Sequence, residues 1–149
     1  MNITNYVTIS EEETIELGKE FAEKLVLGDI VCMYGDLGAG KTNFVKGICD
    51  YFEVEEMITS PTFTIINQYN GFMDGKDIVI FHIDLYRIKS ENELNTIGIS
   101  ELLESGYAVK IIEWAEKSFG TLEGIGHSIR FKSDNTDENK RHIIIEENR

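Results

Sequence analysis

The chain has 149 residues, 42% hydrophobic and 28% charged, which is typical of a globular protein, and we expect one domain over residues 1–149. Its 14 Lys and Arg against 27 Asp and Glu give a net charge of −13 at pH 7, which argues against direct binding of DNA or RNA because that affinity depends on cations that neutralise phosphates. No apolar run approaches the ~18 residues of a membrane span and no leader pattern follows Met1, so we expect a soluble cytoplasmic protein without a membrane partner.

The first third of the chain alternates strand and helix patterns. Residues 7–9 predict a short strand, and Ser10 with an acid three residues later forms a capping box that opens a helix ending near Gly28. The continuous apolar run Ile30–Tyr34 predicts a strand covered on both faces, as in a parallel sheet. After a glycine-rich segment, apolar residues at helical spacing predict a second helix over residues 41–52.

The rest of the chain is richer in strands. They are predicted at residues 63–69, 78–83, 108–114, 128–132 and 142–146. The first two are joined by a turn-rich stretch with Asn70-Gly71 and Asp74-Gly75, and Ser90 and Ser100 each open a short helix. This order predicts a three-layer α/β domain with a mixed, mainly parallel central sheet.

Residues 35–42 have the sequence GDLGAGKT, a full match to the P-loop pattern G-x-x-x-x-G-K-[ST]. The match lies between an apolar strand and an amphipathic helix, which is the context that a P-loop requires. Glycines let backbone N–H groups surround a phosphate at a helix N-terminus, while Lys41 neutralises the β and γ phosphates and the Thr42 hydroxyl ligates Mg²⁺. The residues predicted to bind ATP here are Asp36, Leu37, Gly38, Ala39, Gly40, Lys41 and Thr42.

Two acids directly end apolar strands of the predicted sheet, Asp84 and Glu113. Ligands of parallel α/β sheets collect at the carboxyl ends of the strands, and hydrolysis needs a carboxylate near the metal and a group that orients water. We therefore predict that both acids act with Lys41 in catalysis, although each has the alternative of a solvated strand end. His82 is expected to pack on the face of its strand opposite to Asp84.

One further loop and one arginine each have two possible roles. The loop carries hydroxyls beside a proline that fixes φ, and it either senses the γ-phosphate as a switch or forms a polar turn; its residues are Ser60, Pro61 and Thr62. Arg87 either stabilises a transition state or forms a surface salt bridge.

The remaining candidates are single residues. We expect Trp114 either to stack on a base or to pack in the core, and the core position is favoured. Lys140 and Arg141 are candidates for approaching the nucleotide from the tail hairpin. Cys32 and Cys49 lie in apolar stretches without metal-ligand spacing, so we expect buried, reduced thiols.

Four motifs occur in order: GDLGAGKT at 35–42, SPTF at 60–63, HIDLYR at 82–87 and IEW at 112–114. Together they resemble the TsaE (YjeE) family, small bacterial ATPases of tRNA threonylcarbamoyladenosine biosynthesis. The resemblance covers nearly the whole chain. It departs at Ala115, where the family often has proline.

The resemblance implies a P-loop fold and an Mg²⁺-dependent ATPase in which Thr42 and Glu113 hold the metal, Asp84 supports hydrolysis and the SPTF segment is a switch. It further implies neighbours of the base or ribose at Ser10, Glu11 and Thr14. The implied partners are TsaD and TsaB, with which the ATPase acts as a turnover factor, whereas tRNA is met only indirectly.

Few arginines and no evident lid or acceptor pocket predict slow hydrolysis that rises with the partner proteins. A small-molecule P-loop kinase is the main alternative, but such enzymes need an acceptor site and a lid. A GTP-dependent regulatory switch is less favoured because the chain lacks the NKxD guanine motif. A third alternative is an interaction module whose hydrolysis is incidental.

Overall fold

The structure is a computed structural model that describes residues 2–36, 38–59 and 65–148. Its strands, in chain order, are β1 (Asn2–Thr8), β2 (Ile30–Tyr34), β3 (Ile66–Met73), β4 (Lys76–Asp84), β5 (Ala108–Glu113), β6 (His127–Ser133) and β7 (Arg141–Glu147). Its helices are α1 (Glu11–Ala22), α2 (Lys41–Tyr51), α3 (Glu91–Thr96) and α4 (Ile99–Leu103), and a 3₁₀ turn spans Ala115–Lys117. No helix in these ranges is long and apolar enough to cross a membrane.

The strands form one mixed sheet in the order β1-β7-β6-β2-β5-β4-β3. The four central strands β6, β2, β5 and β4 are parallel, whereas β1, β7 and β3 join by antiparallel pairing. Helices α1 and α2 pack on one face, and α3 and α4 pack on the other. The predicted three-layer α/β architecture with a mixed sheet is therefore confirmed.

Strand β2 lies at the centre of this arrangement and is covered on both faces. Val31 and Met33 belong to the core beneath α1 and α2, whereas Ile30 and Cys32 belong to the core on the opposite face. The continuous apolar run in the sequence follows from this double burial, because alternate strand residues point to opposite faces.

Helix α1 begins as its sequence predicts. The Ser10 hydroxyl accepts a hydrogen bond from the Glu13 N–H at 3.1 Å, and the Glu13 carboxylate accepts one from the Ile9 N–H at 3.1 Å. This reciprocal capping box satisfies two N–H groups at the start of the helix. It fixes the position at which the chain leaves β1 and enters α1.

The two helices of the first layer approach each other through glycine. A Cβ atom at Gly47 of α2 would lie 1.9 Å from the Ile15 carbonyl oxygen of α1, and one at Gly18 would lie 2.2 Å from the Phe44 carbonyl oxygen. The helices can therefore reach this separation only where no side chain stands between them.

Several predicted boundaries were wrong. Strand β1 begins at Asn2 instead of residue 7, and α1 ends at Ala22, well before Gly28. The predicted turn at Asn70-Gly71 lies inside β3, whose pairing with β4 continues to the hairpin turn at Asp74-Gly75. Gly71 serves close approach instead, because a Cβ atom there would lie 2.7 Å from the Phe52 carbonyl oxygen.

We expect Gly47→Ala to lower the free energy of unfolding by about 1–3 kcal/mol, the usual cost of overpacking. In an open helix the same change would stabilise the protein, since alanine is the better helix former. Urea unfolding measures the difference, with Lys46→Ala on the exposed side of the same helix as the control. An unchanged or raised stability of Gly47→Ala would contradict the close packing.

The two cysteines are buried free thiols, as predicted. Burial raises the pKa of Cys32 to about 12 and that of Cys49 to about 12. Because the thiolate is the reactive form, we expect neither thiol to react with a disulfide reagent at neutral pH in the folded protein. Both should react once the chain is unfolded in guanidinium, and rapid modification of the folded protein would contradict this prediction.

Candidate functional site

The glycine-rich loop connects β2 to α2 and adopts backbone angles that few other residues accept. Gly35, Gly38 and Gly40 have φ angles of 140°, 76° and 100°. Gly40 occupies the N-cap of α2 in the left-handed region, and the Ala39 N–H donates to the Asp36 carbonyl at 3.2 Å. The described part of the loop therefore leads directly into the N-terminus of α2, where the first N–H groups of a helix and the helix dipole favour an anion.

A cavity of about 340 Å³ lies at this helix end. It is lined from the start of α1 by Ser10, Glu11 and Thr14, and from the loop and α2 by Gly38, Gly40, Lys41, Thr42 and Asn43. The remaining wall comes from the end of β5 and from the β6–β7 hairpin, with Glu113, Trp114, Asn139 and Arg141. Four segments that are distant in sequence thus meet at one point.

The structure brings only part of the predicted set to the cavity wall. The residues that line it are Glu11, Gly38, Gly40, Lys41, Thr42 and Glu113. Ala39 is buried beneath the loop, and Asp36 and Asp84 lie outside the lining. Leu37 and the predicted switch loop, Ser60, Pro61 and Thr62, fall outside the described residues.

Lys41 carries the positive charge of the site in a desolvated position. Its side chain is largely buried, and its ammonium donates to the Gly35 carbonyl at 2.6 Å and lies 3.8 Å from the centre of the Trp114 ring. Burial lowers the pKa of Lys41, and nearby carboxylates oppose that shift, with Glu113 and Glu116 the largest. A polyphosphate entering this acidic surrounding would need a divalent cation in addition to Lys41.

Trp114 occupies a position that its sequence context did not predict. It is half-buried and lies in the left-handed region with φ 57°, directly after the last residue of β5. One part of the ring packs against the core on the α3–α4 side, and the side chain also lines the cavity. The favoured expectation of a core tryptophan was wrong in part, because the backbone turns out of the strand at this residue.

The two strand-end acids lie side by side, as the parallel sheet predicts. Asp84 and Glu113 are register partners of β4 and β5, and both are almost fully buried. The Asp84 carboxylate accepts a hydrogen bond from the Tyr86 N–H at 2.8 Å, which caps the chain as it leaves β4. Glu113 alone of the two lines the cavity.

His82 contradicts its expected placement. Its Nε2 lies 2.5 Å from Glu113 Oε2, and its ring is fully buried on the α1–α2 face of the sheet. Residues two apart on a strand share a face, so His82 lies on the same side as Asp84 and not opposite to it. The two-residue spacing is enough to predict that His82 and Asp84 share a face. The contact of His82 with Glu113 could not be predicted in this way, because it depends on the register between β4 and β5.

Of the two candidate arginines, one lines the cavity and the other does not. Of the two hairpin residues predicted to approach a nucleotide, Arg141 lines the cavity and Lys140 does not. The Arg141 Nη1 donates to the Lys140 carbonyl at 2.9 Å and to the Glu138 carbonyl. Arg87 is exposed and is not part of the cavity wall. Asn43 and Asn139 also line the cavity, and no motif in the sequence had marked them.

The donor set of the cavity fits magnesium. In the described ranges no group of three or more His, Cys, Asp or Glu residues is placed to hold a metal. Mg²⁺ does not require such a cage, because it keeps several waters and uses one or two carboxylates with substrate phosphates. Thr42 and Glu113 provide oxygen ligands of this kind on the same cavity.

A family model described as "Threonylcarbamoyl adenosine biosynthesis protein TsaE" matches residues 8–143. The chain belongs to the TsaE family. The tRNA threonylcarbamoyladenosine biosynthesis protein TsaE of Bacillus subtilis is 40% identical over 108 residues, which are 72% of this chain and 64% of that protein. Its counterpart in Rickettsia bellii is 41% identical over 119 residues, 78% of each chain. The match spans 58% of the Rickettsia conorii TsaE, so the chain covers less than two thirds of some TsaE relatives.

A solved structure extends the likeness to the fold. The crystal structure of Bacillus subtilis YdiB superposes with a TM-score of 0.76 at 29% identity, covering 97% of this chain and 84% of that one. Of the four TsaE motifs, those at the end of β4 and at the end of β5 lie wholly in described residues, and the P-loop motif does so except for Leu37. Ala115, the position at which the resemblance departs, is buried at the start of the 3₁₀ turn, and Glu113 remains at the end of β5.

Proposed function

We propose that this TsaE-family chain is an Mg²⁺-dependent ATPase that acts in tRNA threonylcarbamoyladenosine biosynthesis. The observation that carries the proposal is the meeting of Lys41, Thr42 and Glu113 on one cavity at the N-terminus of α2. A glycine loop, a lysine, a hydroxyl and an acid in this relation are the parts that phosphoryl-transfer sites use. The pathway is supported by family membership and by the names of the relatives.

In this proposal the backbone of residues 36–40 surrounds the phosphates and Lys41 neutralises the β and γ oxygens. Thr42 and Glu113 hold Mg²⁺, which supplies the charge that stabilises the leaving phosphate. Asp84 supports hydrolysis from the neighbouring strand, and its charge acts on Lys41 in the structure. Glu11, with Ser10 and Thr14, borders the part of the cavity assigned to the base or ribose.

We further propose that the chain works with TsaB and TsaD and contacts tRNA only indirectly, which agrees with its net charge of −13. A transition-state arginine is worth about 10³–10⁵ in rate. Arg87 is exposed, and Arg141 donates to carbonyl groups of its own hairpin. Hydrolysis by the chain alone is therefore slow and rises in the partner complex, and the loop at residues 60–62 acts as a switch.

Binding can be followed through Trp114, the only tryptophan of the chain. Phosphates at the loop would draw the Lys41 ammonium away from the ring, so Mg²⁺·ATP should produce a saturable change in fluorescence. We expect Lys41→Met to raise the Kd at least about tenfold, since charge-assisted bonds to phosphate contribute about 1.5–3 kcal/mol each. The control is Lys46→Met, which removes the same charge from an exposed site on α2.

Equal Kd values for Lys41→Met and the control would contradict the assignment of Lys41. Titration with Mg²⁺·GTP in parallel separates an ATPase from a guanine-specific switch. Preference for GTP would favour the switch.

Asp84→Asn should lower the rate of phosphate release at least about tenfold while the Kd for ATP changes less than about twofold. The carboxylate is assigned to the hydrolytic step, and positioned acids and bases contribute about 10²–10⁴-fold. Asp77→Asn, at an exposed position of the same strand, is the matched control.

Phosphate release by the wild type and by both variants is measured with and without TsaB–TsaD. The partner complex should accelerate phosphate release by the wild type. Equal losses in binding and hydrolysis would refute the role of Asp84. A basal rate in the ~1–100 s⁻¹ range of kinases would refute slow hydrolysis by the chain alone.

A further inference from the structure

A chain of polar side chains leads from Glu113 into the core on the α1–α2 face of the sheet. His82 Nε2 lies 2.5 Å from Glu113 Oε2, and His82 Nδ1 lies 3.3 Å from the Tyr69 hydroxyl. The Tyr69 hydroxyl in turn lies 3.4 Å from the Thr59 carbonyl oxygen and accepts from the Asn67 side-chain amide at 3.3 Å. The chain of contacts thus crosses the three neighbouring strands β3, β4 and β5.

These groups are buried where apolar side chains would be expected. Tyr69, His82 and Glu113 are 4%, 0% and 2% exposed, and Tyr69 packs within the main hydrophobic core. Buried polar groups contribute no more to stability than well-packed apolar ones, and each must be satisfied by hydrogen bonds. This network of buried polar side chains ends on Glu113, the strand-end acid that lines the cavity. A role in the site therefore explains its presence in the core better than a contribution to folding stability does.

The chemistry of the groups assigns the proton positions. An ionised Glu113 only accepts hydrogen bonds, so His82 must donate through Nε2–H. In the neutral ring Nδ1 is then an acceptor, and the single Tyr69 hydroxyl proton is shared between it and the Thr59 carbonyl oxygen, at 3.3 Å and 3.4 Å. Tyr69 thereby favours this tautomer of His82, and His82 holds one oxygen of Glu113. This leaves the other oxygen, Oε1, for the metal in the proposed site.

We propose that His82 and Tyr69 are positioning residues that orient Glu113 and so determine how much Mg²⁺ strengthens nucleotide binding. The inference rests on the proposed function, since it assumes that Glu113 is a metal ligand. Groups that orient a metal ligand from behind typically change metal affinity or activity 10–100-fold when removed. Neither residue lines the cavity, so metal-free nucleotide should bind independently of both.

The quantity that tests the proposal is the ratio of the ATP Kd in EDTA to the Kd in Mg²⁺. We expect His82→Leu, which removes the donor at similar volume, to lower this ratio about tenfold without changing the Kd in EDTA. His82→Gln keeps an N–H donor and should recover most of the ratio. Tyr69→Phe should lower the ratio by a smaller factor, because His82 retains its bond to Glu113.

The matched control is Phe81→Leu. Phe81 directly precedes His82 in β4, and it is buried in the core on the opposite face of the sheet. A general weakening of the strand would affect this variant and His82→Leu alike, whereas loss of positioning affects only His82→Leu. If His82→Leu does not fold, Tyr69→Phe against Phe81→Leu makes the same comparison.

A second measurement needs no nucleotide. The chain has only three histidines, so ¹H–¹⁵N spectra of the imidazole rings can be assigned with single substitutions. We expect the proton of His82 on Nε2, and we expect Glu113→Gln to shift the His82 signals but not those of His142, which bonds to Asp134 at 2.9 Å.

The outcomes separate the two levels of inference. A wild-type ratio near one would overturn the metal site of the proposed function, while the spectra still decide whether His82 holds Glu113. A normal wild-type ratio that persists in folded His82→Leu, or that His82→Gln does not recover, would overturn the positioning role. A His82 ring without a proton on Nε2 would overturn it as well.

Discussion

The site is organised around one desolvated cation. The Lys41 ammonium has lost most of its water and is held by the Gly35 carbonyl at 2.6 Å and by the face of Trp114. Burying a charge costs several kcal/mol unless other groups compensate, and here a carbonyl, an aromatic ring and the carboxylates of Glu113 and Glu116 do so. In a chain of net charge −13, this concentrated positive charge at a helix N-terminus is what makes anion binding favourable.

The sheet supplies the position of that cation. Because β2, β4 and β5 are parallel, their carboxyl ends meet at one edge, which carries the glycine loop, Asp84 and Glu113. The antiparallel β6–β7 hairpin brings Arg141 to the same edge, and α1 closes the remaining side with Glu11. The close approach of α1 to α2 at Gly47 brings together the two helices whose first residues line the cavity.

The core and the site are continuous on the α1–α2 face. Tyr69 belongs to the main hydrophobic cluster, and its hydroxyl touches His82, whose ring reaches Glu113. Rigid packing around the tyrosine and the histidine therefore extends to the carboxylate at the cavity wall. If Glu113 is the metal ligand that we propose, this support from behind would hold its oxygen in place for the cation.

The sequence by itself determined the local features: the capping box at Ser10, the doubly buried β2, the P-loop and the acids that end β4 and β5. Each depends on neighbouring residues, whose spacing sets periodicity, φ preference and the direction of a strand end. Only the tertiary structure decided that His82 meets Glu113, that Trp114 turns towards Lys41 and that Asn139 joins the cavity. Strand register, a left-handed backbone after a strand and the placement of a distant hairpin come from packing between remote segments. For the same reason Asn70-Gly71 resembles a turn in sequence, although the pairing of β3 with β4 places it inside a strand.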